Sequence, residues 1–194
     1  MDIANHTVVV TGGASGLGAA VVRRMVKAGS RVAIFDVQKE KGEALAVELG
    51  AKGIFCLTDV TNAGSVQNSL ARVKENFGNI SFLVNAAGTG WVERTVSKTG
   101  PHSLETFEQI LRLNLIGTFN VASQTAWTMS ENHPDEQGER GVIVNVSSTA
   151  AFDGQIGQTA YAASKGAVAA MTLPMARDLE IGRASCRERV CYVV

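Results

Sequence analysis

The sequence predicts an α/β protein, a parallel sheet doubly wound by helices on both faces, with strand order 3-2-1-4-5. Three observations predict it. Short β-branched apolar runs of four to six residues alternate with stretches of ten or more at helical spacing. The strand-like runs are apolar almost throughout, as strands covered on both faces are. Several of them end on glycine, aspartate or asparagine (Gly12, Asp36, Asp59, Asn85), which places polar chemistry at their C-terminal ends.

The elements follow in order. Residues 7–10 (TVVV) form a first strand, bounded by Gly12-Gly13. Residues 17–28 carry Leu17, Ala20, Val21, Met25 and Ala28 at helical spacing, and Gly29 closes that helix. Residues 31–35 (RVAIF) are a second strand ending at Asp36, and 39–49 a second helix closed by Gly50. A third strand over 53–57 ends near Asp59, and a third helix over 66–77 is closed by Gly78. Residues 81–84 form the fourth strand, ending at Asn85. One long helix is expected over 104–129, a fifth strand over 142–146 (VIVNV) and a last helix over 160–179. Residues 88–103 and 130–141 read as surface insertions.

Composition narrows the function classes. Eighteen lysines and arginines balance eighteen aspartates and glutamates, so no overall field draws the chain to nucleic acid or an anionic membrane. No stretch approaches the roughly 20 apolar residues of a membrane span. Residues 1–7 carry neither a signal-peptide nor a transit-peptide pattern. Cys56, Cys186 and Cys191 are odd in number and lack metal-ligand spacing, as are His6, His102 and His133 scattered, so no metal is expected. The expected compartment is the cytoplasm, or the mitochondrial matrix in a eukaryote.

Three motifs carry chemistry. Gly12-Gly13-Ala14-Ser15-Gly16-Leu17-Gly18 lies between strand one and helix one. Gly12 permits the tight turn, Gly16 lets backbone amides approach a pyrophosphate, and Gly18 lets the helix pack closely, so that its N-terminus faces the anion. Glycine patterns occur in many loops; here the strand before and the helix after supply the confirming context for a Rossmann-like fold. Asp36, about 20 residues on, accepts hydrogen bonds from an adenosine ribose and repels a 2′-phosphate. No arginine stands at position 13 or 37, so NAD is the expected cofactor rather than NADP. Tyr161 and Lys165, four apart, share a helix face, and an ammonium one turn away stabilises a phenolate for proton exchange with a substrate hydroxyl. Ser148, just past strand five, is placed to hold the substrate oxygen. A Tyr-x-x-x-Lys pair alone is common on helices; its coincidence with the glycine motif and a strand-end serine gives it meaning.

With these residues in place, the sequence resembles the short-chain dehydrogenase/reductase family. The resemblance rests on Thr11 to Gly18, Asp59-Val60, Asn85-Ala86-Ala87-Gly88, Asn114, Ser148, and Tyr161 with Lys165, in order and at family spacing. It implies that Asp59 and Val60 border the adenine, and that Asn85, Ala86, Ala87 and Gly88 line the cofactor and support the sheet. Asn114 would bend its helix and hold a water of a proton relay to Lys165, and Lys165 would also hold the nicotinamide ribose. The catalytic set is then Asn114, Ser148, Tyr161 and Lys165, with the spacing to Tyr161 favouring Ser148 over Ser147. Segments 141–148, 150–158 and 171–179 further resemble the 3-hydroxyacyl-CoA dehydrogenases of the family. That likeness implies an acyl-CoA-like substrate, with Gln155 and Gln158 as candidate substrate contacts and Trp91 as a cover for an acyl chain or a loop anchor. Another secondary alcohol, hydroxysteroid or sugar-like, and a non-catalytic NAD-binding module are the competing readings. The family also implies a homodimer or homotetramer of the full-length parent.

The family resemblance stops at residue 179. Residues 181–190 instead resemble a translation of a common sequencing adapter. The expectation is an incomplete NAD-binding domain over 1–179, lacking the family's last two strands, and an artefactual tail over 180–194. Strand five would then form an uncovered apolar edge, and the acyl pocket would lose a wall.

Overall fold

The computed structural model describes residues 3–136 and 138–182. Five parallel strands form the central sheet: β1 (Thr7–Thr11), β2 (Arg31–Asp36), β3 (Gly53–Leu57), β4 (Ile80–Asn85) and β7 (Val142–Asn145), in the order β3-β2-β1-β4-β7. This is the expected order. The intervening numbers belong to a two-residue hairpin, β5 (Val96–Ser97) and β6 (Gly100–Pro101), which no sequence pattern announced. Around the sheet lie α1 (Gly16–Lys27), α2 (Lys39–Leu49), α3 (Ala63–Phe77), α4 (Leu104–Leu111), α5 (Thr118–Ser130) and α6 (Thr159–Gly182).

Each face of the sheet builds its own core, because successive strand side chains point to opposite sides. Val9, Ala33, Phe35, Leu83 and Ile143 meet Val66, Leu70 and Val73 of α3 and Val121, Ala126 and Met129 of α5. Val8, Val10, Val32 and Ile34 meet Ala19 and Val22 of α1 and Leu45 of α2 on the other. Both strand faces are therefore buried, which is why the runs are apolar without alternation. Phe82, Val144 and Val146, toward the β7 edge of that second face, are only partly buried. Among the described residues β7 is the outer strand of the sheet.

Most bounds fall within one residue of those expected, and three elements depart further. Helix α3 begins at Ala63, three residues before the expected start. The Asn62 side chain accepts from Ser65 N (2.9 Å) and caps a first turn that contains the weaker helix formers Gly64 and Ser65. The expected helix over 104–129 contains a π-helical segment, Arg112–Gly117, between α4 and α5. Helix α6 contains Pro174 and runs through Glu180, Ile181 and Gly182, past the expected end at residue 179, because no glycine or proline stands between Leu179 and Gly182 and propagation adds one bond per residue. The rest of the expected tail, Cys186 and Cys191 included, lies outside the described residues. Cys56 is buried in β3, and burial pushes its thiol up to about 11, as suits a core residue rather than a nucleophile. Among the described residues no helix is long and apolar enough to cross a membrane.

Candidate active site

The C-terminal ends of β1, β2, β3 and β4 open onto a cleft of about 360 Å³. Its walls hold Gly12, Ser15, Gly16, Leu17, Gly18, Asp36, Asp59, Val60, Ala86, Ala87 and Gly88, all but one of the expected nucleotide contacts outside the Tyr161–Lys165 helix. The exception is Asn85. It is buried, and its Nδ2 donates to Asn145 Oδ1 across β4 and β7 (3.0 Å), so it braces the sheet instead of lining the cleft.

Glycine is dictated by geometry at this turn. Gly12 has φ +63°, and a Cβ there would stand 2.8 Å from Ala87 Cα. A Cβ on Gly18 would overlap Gly12 O. Gly16, at φ +51°, faces open space. The post-β4 turn is held against β1 by Thr11 Oγ1, which accepts from Ala86 N (3.1 Å) and Ala87 N (3.0 Å). Ser15 is the N-cap of α1, but its side chain makes no capping bond and no acid stands in the first turn. The positive end of a 12-residue helix is therefore left open to the cleft, as an anionic phosphate requires.

Asp36 closes the other end of the cleft. It is 6% exposed, its Oδ2 accepting from Ala14 N (3.0 Å) and its Oδ1 from Gln38 N (2.9 Å). Gln38 also lines the cleft and donates to Ser15 Oγ (3.3 Å), tying β2 to the glycine turn. Gln38 was not among the expected site residues; the signal was an amide two residues beyond the acid that ends β2. Asp59 accepts from Thr61 N (2.8 Å), and Asn120 donates to Val60 O (2.7 Å), which fixes the wall of the cleft beyond β3.

Three of the four proposed proton-transfer residues, Asn114, Tyr161 and Lys165, lie along segment 88–90 beside this cleft. Lys165 is 5% exposed; its Nζ donates to Val146 O (2.8 Å), and burial holds its ammonium below the ordinary lysine range. Ser147 is also buried and donates to Lys165 O (2.8 Å). Ser148 accepts from Ala150 N (3.1 Å) at the start of a 3₁₀ turn (Thr149–Ala151), and its hydroxyl proton remains available as a donor. The two serines thus differ: Ser147 donates to the backbone of α6, and Ser148 caps the 3₁₀ turn.

Asn114 sits fully buried in the π-helical segment. Its Nδ2 donates to Thr89 O and Ser164 Oγ (both 2.9 Å), and its Oδ1 accepts from Thr89 N (2.9 Å). Both amide hydrogens are taken by the protein, and the backbone carbonyl accepts from Thr118 Oγ1 (2.7 Å). Gly88 brings the centres together: a Cβ there would lie 3.1 Å from Asn114 Oδ1 and 3.5 Å from Lys165 Nζ. Gly90 in turn passes beside the half-buried Tyr161 ring, 3.7 Å from a would-be Cβ.

The expected substrate contacts are less direct. Gln158 Oε1 accepts from Gln155 N (3.0 Å), closing their turn upon itself, and Gln155 is exposed. Glu93 N donates to Gly157 O (2.9 Å), joining loop 88–103 to loop 152–158 as one wall. Trp91 (60% exposed), Phe152 (72%) and Ile156 (78%) project from these two loops.

The sequence profile described as "short chain dehydrogenase" matches residues 6–185. The chain belongs to the short-chain dehydrogenase family. It is 48% identical over 179 residues to the 3-hydroxyacyl-CoA dehydrogenase type-2 of Drosophila melanogaster, covering 91% of this chain and 70% of that one. The human protein of the same name is 47% identical over 173 residues, covering 88% and 66%. The L-fucose dehydrogenase of Bos taurus is 35% identical over 179 residues, covering 90% and 61%. A crystal structure of 3-hydroxyacyl-CoA dehydrogenase type-2 from Mycobacterium avium superposes with a TM-score of 0.89 at 39% identity, covering 98% of this chain and 74% of that one. The chain thus spans about two thirds of the length of the curated relatives it matches. It is a dehydrogenase by family, and its relatives with the highest identities quoted carry one name.

Proposed function

We propose that this chain carries the active site of an NAD-dependent dehydrogenase that interconverts the C3 hydroxyl and keto groups of a 3-hydroxyacyl-CoA. The observation that carries the reaction type is the placement of Lys165 and Asn114 around Gly88, at the mouth of a cleft built for a dinucleotide. The substrate class rests on the names of the relatives at 47–48% identity.

A nicotinamide dinucleotide bound in the cleft supplies the hydride acceptor and donor. The chain's own residues manage the proton. Tyr161 gives or takes it at Oη, Lys165 favours the phenolate from one turn away, and Ser148 donates to the substrate oxygen. The wall carrying Trp91, Phe152 and Ile156 offers apolar surface to an acyl chain. Trp127 and Phe119 of α5 and Leu173 of α6 are exposed, and they offer apolar surface for a homodimer or homotetramer built through these helices. The likeness to L-fucose dehydrogenase favours a second reading, a sugar-like alcohol, and a panel of acyl-CoA, steroid and sugar substrates separates the two.

NAD rather than NADP follows from Asp36, whose buried carboxylate would face a 2′-phosphate. Asp36→Asn keeps an acceptor for Ala14 N and removes the charge. Its ratio of NADH to NADPH affinity is expected to fall by about tenfold or more, the scale of one hydrogen bond to a charged group. Fluorescence titration with both cofactors checks this, and an unchanged ratio removes Asp36 from cofactor choice.

A further inference from the structure

Ser164 stands between Tyr161 and Lys165 and has no part in the proton-transfer scheme above. It is fully buried. Its hydroxyl accepts from Asn114 Nδ2 (2.9 Å) and donates to Tyr161 O (2.7 Å). Each of its two polar functions therefore meets a residue of the proposed centre. Asn114 has the same economy: two donors and one acceptor, bound to Ser164 on one side and to both backbone groups of Thr89 on the other.

We infer that Ser164 is a positioning residue that locks the loop after β4 to the catalytic turn of α6 through Asn114. The physical reason is satisfaction. Asn114 is fully buried, so without the serine oxygen one of its N–H groups is left unpaired in a dry interior. The amide then turns toward another partner and releases Thr89. Gly88, one residue earlier, has both Asn114 Oδ1 and Lys165 Nζ beside it, so a shift of this loop is felt where the proton moves. The cofactor turn, the Asp36 end of the cleft and α1 make none of these bonds. The effect on the reaction rests on the dehydrogenase reading; the lock itself does not.

Two measurements on Ser164→Ala separate these claims. Hydrogen exchange reads the lock without any substrate. The Thr89 amide is expected to lose at least about tenfold in protection, while the amides of β1 and β2 keep theirs. Unchanged Thr89 exchange overturns the lock. Steady-state kinetics, on whichever alcohol or ketone the parent chain turns over, reads its consequence. The expected result is a kcat about tenfold lower or more with KM for NADH unchanged, and an Asn114→Ala/Ser164→Ala double variant no slower than Asn114→Ala alone. A kcat within twofold of the parent, or a double variant whose loss is the product of the two single losses, overturns the positioning role. Ser164→Cys, which keeps nearly the same volume with a weaker acceptor, carries both measurements should the alanine variant not fold. Loss of Thr89 protection in a chain without turnover on any substrate keeps the lock and contradicts the dehydrogenase reading.

Discussion

Tyr161→Phe loses turnover by about a thousandfold while NADH binding changes by less than about threefold, within the range of general acid–base contributions. The substitution removes one oxygen and keeps the ring, which packs beside Gly90 and needs no rearrangement. Neither Ser148 nor Lys165 replaces the phenol. Ser148 is a poor acid at neutral pH, and Lys165 is committed to Val146 O with its backbone gripped by Ser147. The paired measurement matters: kcat from absorbance and NADH affinity from fluorescence on the same sample. Turnover within tenfold of the parent would assign the proton to another group.

The second large effect is expected from Gly18→Ala. A Cβ at this position overlaps Gly12 O and lies 2.7 Å from Gly12 C and 3.0 Å from Gly13 Cα. These are backbone atoms of the turn itself, so no side chain can move aside. Either α1 withdraws from the turn or the turn opens, and in both cases the helix N-terminus no longer faces the cleft. Overpacking of this kind costs about 1–3 kcal/mol, which for a chain of this size is a drop in Tm of roughly 2–12 °C. NADH affinity should fall by about a hundredfold or more, since anion binding depends on the aimed amides. Gly16→Ala is the informative contrast. It meets no atom within 4 Å, so its cost comes from φ +51° and not from collision. Calorimetry and NADH titration on the two variants check the order; equal stability of Gly18→Ala and the parent would contradict the packing argument.

Much of the fold was legible because a sheet buried on both faces leaves a simple trace, apolar runs separated by helical spacing. The glycine turn was legible because a tight strand-to-helix turn needs backbone freedom at fixed positions, and Asp36 because it stands where β2 ends at the cleft. Other features leave no such trace. The π-helical segment at Arg112–Gly117 inserts one residue's worth of slack without breaking the apolar spacing on either side. The β5–β6 hairpin has two residues per strand, too few for periodicity. Asn85 looked like a cleft residue because its neighbours are; its side chain turns into the sheet toward Asn145, a partner 60 residues away that only the tertiary pairing of β4 with β7 supplies. Ser147 and Ser148 are neighbours with different partners, which spacing does not reveal: the Ser147 hydroxyl donates to Lys165 O, and Ser148 Oγ accepts from Ala150 N. Ser164 drew no role from the sequence, because its partner Asn114 lies 50 residues earlier in the chain.

The most direct test of the proposed function is NADH absorbance during incubation of this chain with acetoacetyl-CoA, with NADPH in parallel. The predicted result is consumption of one NADH per keto group reduced, abolished by Tyr161→Phe and much slower with NADPH. No substrate-dependent loss of NADH, from a sample that NADH stabilises against heat, would contradict the 3-hydroxyacyl-CoA dehydrogenase reading.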